Sequence, residues 1–135
     1  MNKDSIATKT NTEFIYQAEG AVLIVRFHGF QKPDEAAKDS QVLAQTIRQK
    51  KVRSLLINQR DIKVLSGEVQ SLILDNAAKV GDSGVKRVAV VVPDDVFALA
   101  AVSKIHNQSK TAGVAVQLFS SESDAVEWLR KSIGA

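Results

Sequence analysis

The chain has 135 residues, 44% hydrophobic and 24% charged, which fits one globular domain and excludes a disordered chain. It contains no cysteine, so a disulfide scaffold, a cysteine nucleophile and a thiolate metal site are excluded. The net charge of +3 falls in small groups of Lys and Arg (Lys50, Lys51 and Arg53; Lys86 and Arg87; Arg130 and Lys131) rather than in a basic stripe with stacking aromatics, and nucleic acid is not an expected partner.

Residues 1–12 are polar, lack an apolar stretch that would serve as a secretory signal, and are expected to be a flexible tail. Residues 13–18 read as a short strand, Glu19-Gly20 as a turn, and residues 21–28 as a second strand, together a hairpin. Gly29 breaks the pattern and Pro33 opens a helix, where its missing N–H costs nothing. Asp34 and Glu35 follow in the first turn, which the helix dipole favours. That helix is expected to reach about Gln49, with Ala36, Leu43 and Ile47 on its apolar face. A third strand is expected over residues 54–58 and a loop over 59–65. A second helix, about 66–80, would bury Val69, Leu72, Ile73, Ala77 and Val80, and Gly81 and Gly84 would end it.

Residues 87–92 form a continuous apolar strand, as expected for one covered on both faces. Pro93-Asp94-Asp95 starts a third helix that runs to about Lys110. Residues 115–119 are the fifth strand. Ser121 and Asp124 then stand at capping-box spacing ahead of a last helix, which turns Ala125, Val126, Leu129 and Ile133 inward with Trp128 beside them. The order β-β-α-β-α-β-α-β-α implies right-handed crossovers. The expected fold is α/β: a five-stranded, mixed but mostly parallel sheet with four main helices, forming a single domain over residues 13–135. The longest apolar runs, 88–92 and 96–102, are far too short to cross a bilayer, and a cytoplasmic location is expected.

Four stretches in this order resemble the SpoIIAA-like family, a STAS-type fold of anti-sigma-factor antagonists related to CRAL-TRIO lipid-binding domains. They are residues 22–29 (VLIVRFHG), 54–61 (SLLINQRD), 86–93 (KRVAVVVP) and 116–129 (VQLFSSESDAVEWL). The last is the most telling, a strand ending in Phe followed by a polar cap and an Ala-x-x-Trp-Leu helix. One departure stands out. Antagonist STAS domains open their second helix with Asp-Ser-Ser-Gly, whose serine is phosphorylated. Here that segment is Leu65-Ser66-Gly67-Glu68, so the aspartate and one serine are missing and Glu68 would repel a phosphate. Ser66 reads as an N-cap ahead of a phosphosite.

Open parallel sheets place their sites beyond the carboxyl ends of the strands. The candidates there are Asn58, Arg60 and Asp61 after the third strand, Asp94 and Asp95 after the fourth, and Ser66 at the second helix. Asp94 and Asp95 suit a first helical turn without any chemistry, and Arg60 with Asp61 suits a local ion pair. His28 and His106 have no ligand spacing around them, so no metal site is expected, and no nucleophile elbow, phosphate loop or dinucleotide fingerprint occurs. The third helix is apolar for two turns. Val96, Leu99 and Ala100 exceed what one core-facing side needs, Phe97 borders that side, and Leu74 of the second helix is similarly off its core face. Such a strip serves as a dimer contact, a peripheral membrane contact or a pocket lining.

Two functions follow as expectations. The antagonist resemblance implies a non-catalytic regulatory module that binds a protein partner. The CRAL-TRIO kinship implies a carrier or sensor of a small lipophilic molecule. Neither requires a cofactor, and an enzyme is not expected.

Overall fold

The computed structural model describes residues 3–6, 12–29, 32–62, 83–93 and 114–133. Six strands form one sheet in sequence order: β1 (Lys3–Ile6), β2 (Thr12–Gln17), β3 (Val22–Gly29), β4 (Ser54–Ile62), β5 (Arg87–Val91) and β6 (Ala115–Phe119). Two helices lie among the described residues, α1 (Pro33–Lys50) and α2 (Glu122–Ile133). β1, β2 and β3 pair antiparallel, and β3 through β6 pair parallel. The sheet is therefore mixed and mostly parallel in its second half, as the alternation of strands and helices requires.

The five expected strands are all present, and a sixth precedes them. The expected tail over residues 1–12 needs correcting, because Lys3–Ile6 pairs with β2 from Lys3↔Gln17 to Ile6↔Phe14, and Thr12 already belongs to β2. The physical reason is the free edge of the hairpin: β2 would otherwise present a row of unpaired backbone groups, and even a polar segment can satisfy them. A second correction concerns the expected loop over 59–65, since β4 continues to Ile62. β3 runs on beside it, pairing His28↔Asp61 and Gly29↔Ile62 after a register shift. Two of the four expected helices, 66–80 and the one opened by Pro93-Asp94-Asp95, fall on residues outside the described set.

Period-2 alternation distributes the strand side chains over two faces. Phe14, Tyr16, Leu23, Val25, Leu55 and Val88 pack with Leu43 and Ile47 of α1. Val22, Ile24, Leu56, Ala89 and Val91 pack on the opposite face with Ala125 and Leu129 of α2. The sheet is thus covered on both sides, which explains why β3 and β5 are nearly continuous in Val, Ile, Leu and Ala. On α2 the expected inward set holds for Ala125 and Leu129, which are buried, while Val126 and Trp128 pack partly against the core. Trp128 lies against Phe119 with ring centroids 5.7 Å apart.

Local chemistry accounts for the turns. Gly20 and Ala21 both adopt positive φ in the β2–β3 turn, which is easy for glycine and costs an alanine. The Ala21 carbonyl accepts from the Arg53 and Ser54 amides, and so starts the β3–β4 ladder at the position the strain creates. Pro33 occupies the first turn of α1, with Asp34 and Glu35 after it as expected. The helix stops at Lys51, in the left-handed region, where the Lys51 and Val52 amides both donate to the Ile47 carbonyl. A buried polar tie joins α1 to β2: the Thr12 hydroxyl donates to the Asp39 carboxylate at 2.5 Å.

Candidate functional site

Beyond the apolar half of the α2-side face, the same alternation brings polar side chains together at the carboxyl ends of the parallel strands. On β3, Arg26 and His28 continue the row begun by Val22 and Ile24. On β4, Asn58 continues the row of Ser54 and Leu56. Glu13 of β2 stands opposite Arg26 in the register. Glu122 opens α2, where a carboxylate meets the positive end of the helix dipole.

Arg26 and Glu122 meet as a fork-to-fork pair, with Nε to Oε1 at 2.9 Å and Nη2 to Oε2 at 3.0 Å. The Asn58 amide donates to the same Oε1 at 3.1 Å. Arg26 also lies 3.8 Å from Glu13 through Nη1. The hydrogen bonds to Glu122 raise the Arg26 pKa above its ordinary value. Partial burial opposes this shift, and the negative charges of Glu122 and Glu13 add to it. Glu13 in turn reaches His28, Oε1 to Nε2 at 2.7 Å, and the other ring nitrogen, Nδ1, faces Asp61 Oδ2 at 3.2 Å. A neutral imidazole has one N–H, so both contacts are hydrogen bonds at once only for the imidazolium. Two linked chains result, Asn58–Glu122–Arg26–Glu13 and Glu13–His28–Asp61. They lock β2, β3, β4 and the start of α2 into one mixed-charge surface.

The register shift creates part of this surface. Between Arg26↔Asn58 and His28↔Asp61, β4 spends one residue more than β3. This bulge returns Asp61 to the side where His28 lies. Within the bulge the Arg60 amide donates to Asn58 Oδ1 at 3.0 Å, a local turn that fixes the Asn58 side chain. Gln59 is turned inward and buried, and its Oε1 has no hydrogen-bond partner among the described residues.

Of the residues expected to form the site, Asn58, Arg60 and Asp61 are at this edge. Asp61 finds a cross-strand partner in His28, where a local pair with Arg60 was the expectation. Ser66, Leu74, Asp94, Asp95, Val96, Phe97 and Leu99 lie outside the described residues. Sequence reasoning passed over Arg26, Glu13 and Glu122, and it read His28 only against metal binding. A signal was present for two of them: in VLIVRFHG the last two polar residues fall at alternate positions of an otherwise apolar strand. Nothing comparable marks Glu13 or Glu122, whose roles depend on register and on where α2 begins. Ser121 performs as expected, its Oγ accepting from the Asp124 amide at 3.3 Å as the N-cap of α2. Among the described residues no cluster of His, Asp and Glu is arranged to hold a metal ion, and no helix is long and apolar enough to cross a membrane.

No family profile and no curated protein matches the chain. Solved structures do. The anti-sigma factor antagonist SpoIIAA in its unphosphorylated form superposes with a TM-score of 0.61 at 11% identity, covering 95% of this chain and 97% of that one. A DUF3478 protein with a SpoIIAA-like fold from Shewanella loihica gives 0.59 at 17% identity, covering 94% and 91%. SiaC of Pseudomonas aeruginosa gives 0.54 at 10% identity, covering 88% and 100%. The fold is SpoIIAA-like.

Proposed function

We propose that this chain is a non-catalytic regulatory domain that acts by binding another protein, and that the carboxyl-end surface of the sheet is where it binds. The observation that carries this reading is the match along 95% of the chain to an anti-sigma factor antagonist. The site chemistry agrees with it. Glu13, His28 and Asp61 have side chains 52%, 41% and 64% exposed, yet each is held in place by a neighbour on an adjacent strand. Fixed, exposed charges of both signs favour selection of a partner and its orientation. Arg60 and Asn58 extend the surface, and Ser66, Asp94 and Asp95 are proposed to flank it from the following segments. Ser66 is proposed as a cap and not as a phosphoacceptor.

The lipophilic-carrier reading draws on Leu74, Val96, Phe97 and Leu99, outside the described residues, and the comparisons lend it no support.

The test is quantitative affinity capture from the source cells under mild cross-linking, comparing the unaltered chain with Asp61→Arg and with Glu13→Arg. One protein, enriched in stoichiometric amount by the unaltered chain and lost by both folded variants, is the expected result. If the variants retain every partner, or if native mass spectrometry finds a small molecule bound and no protein, the proposal is wrong.

A further inference from the structure

β6 differs from β2, β3, β4 and β5 in how little covers it. Ala115, Val116 and Gln117 are all exposed, although their side chains point to both faces of the sheet. Val116 is the exposed large hydrophobic among the described residues, at 37%. α2 meets β6 near its end, where Trp128 lies against Phe119. β6 is also the last strand of the sheet.

Two hydrogen bonds fix which backbone groups are committed. Ala115 donates to the Lys86 carbonyl at 3.0 Å, and the Phe119 carbonyl accepts from Val92 at 2.9 Å. In a parallel ladder the inward positions alternate. Ala115, Gln117 and Phe119 therefore face β5, and the N–H and C=O of Val116 and Leu118 face out along the edge. Natural edges are guarded by lysine, proline or a bulge. The opposite edge, β1, carries Lys3 and Asp4, whereas β6 and its flanks from 111 to 121 contain no charge and no proline.

We propose that the β6 edge pairs antiparallel with β6 of a second copy of this chain, joining two six-stranded sheets across a two-fold axis at Gln117. The choice of occupant follows from charge and symmetry. A charged partner strand would set its charge against Val116 and Leu118. The chain's own β6 sets Val116 beside the second copy's Leu118 on one face, and Gln117 beside the second copy's Gln117 on the other. The outward groups of Val116 and Leu118 then exchange hydrogen bonds in both directions. The pairing is closed, so it ends at a dimer; a β6-to-β1 contact would repeat into a filament. It is independent of the carboxyl-end surface proposed above. The strand is short and its contact lies well under the about 800 Å² per partner of a standard interface, so the dimer is expected to be weak and concentration-dependent.

The experiment is sedimentation velocity on the full chain over a concentration series, with three kinds of variant. The unaltered chain should pass from monomer to dimer as concentration rises. Val116→Pro removes an outward N–H and keeps the bonds to β5, and Val116→Lys guards the edge without touching the ladder. Both should give monomer with an unchanged circular dichroism spectrum. The chain lacks cysteine, so Gln117→Cys introduces a lone thiol. Facing strand positions of this kind lie about 4.5 Å apart, within disulfide reach. Mild oxidation should give a covalent dimer for Gln117→Cys and not for Ala115→Cys, which the register places away from its own symmetry mate. A chain that stays monomeric at its highest soluble concentration overturns the proposal. So does a dimer that survives Val116→Lys, or equal cross-linking at 115 and 117. Should Val116→Pro fail to fold, Val116→Lys and the thiol pair still decide.

Discussion

Arg26 organises the candidate surface because the Glu122 carboxylate engages its guanidinium with two parallel hydrogen bonds. Its side chain is 31% exposed and that of Glu122 is 28%, so the pair is neither a screened surface contact nor a fully desolvated one. Arg26→Met is expected to cost about 1.5–3 kcal/mol, the range for hydrogen bonds to charged groups, as read by urea unfolding. Much of that would be the cost of leaving the partly buried Glu122 carboxylate without the Arg26 charge, with the Asn58 amide still donating to it. Combining Arg26→Met with Glu122→Gln should therefore cost less than the sum of the two, by about 0.5–3 kcal/mol. Strict additivity would mean that the fork contributes no coupling. The alternation of VLIVRFHG marks Arg26 and His28 as the polar end of an apolar strand, a signal the sequence reading passed over. Glu122 could not be seen as the partner of Arg26, because 96 residues separate them and only the sheet brings them together.

At the scale of elements, capping was the most readable feature. Ser121 three residues before Asp124 implied a helix start, and the Asp124 amide does donate to Ser121 Oγ. Ser121→Ala should lower stability by about 1 kcal/mol, read by thermal unfolding, since it deprives α2 of a partner for one of its orphan amides. The same change frees the end of the element that carries Glu122, so looser cross-strand packing at Arg26 should accompany it. The extent of β4 was less readable. Asn-Gln-Arg-Asp has turn-like composition, yet its backbone finds a ladder partner in the last residues of β3. A bulge absorbs the mismatch in register. Pairing offered by a neighbouring strand outweighed local preference, as it did for Lys3–Ile6 at the other edge.

Across the whole molecule, the two covered faces of the sheet set the stability and the open edge contributes little. Leu23 is fully buried between β2 and β4 on the α1 side. Leu23→Ala is expected to cost about 2–5 kcal/mol, a large part of the about 5–15 kcal/mol that holds a typical domain together. Val116→Ser at the exposed end of the sheet should stay within about 0.5 kcal/mol of the unaltered chain. Chemical denaturation of the two variants side by side checks the contrast; a heavy cost at Val116 would mean that β6 is core.

Composition and periodicity by themselves determined the class of this protein: a cysteine-free α/β chain, a hairpin followed by parallel strands, the inward residues of α1, and Ala125 and Leu129 of α2. These follow from properties local to a segment, namely apolar spacing, caps and turn residues. The resemblance of four stretches, in their order, to the SpoIIAA-like family implied the fold that the solved structures show. Tertiary structure alone decided the rest: the sixth strand, the bulge that turns Asp61 toward His28, and the meeting of Glu13, Arg26, Asn58 and Glu122. Each of these depends on register between segments distant in the chain, and a shift of one residue would send every side chain of a strand to the other face.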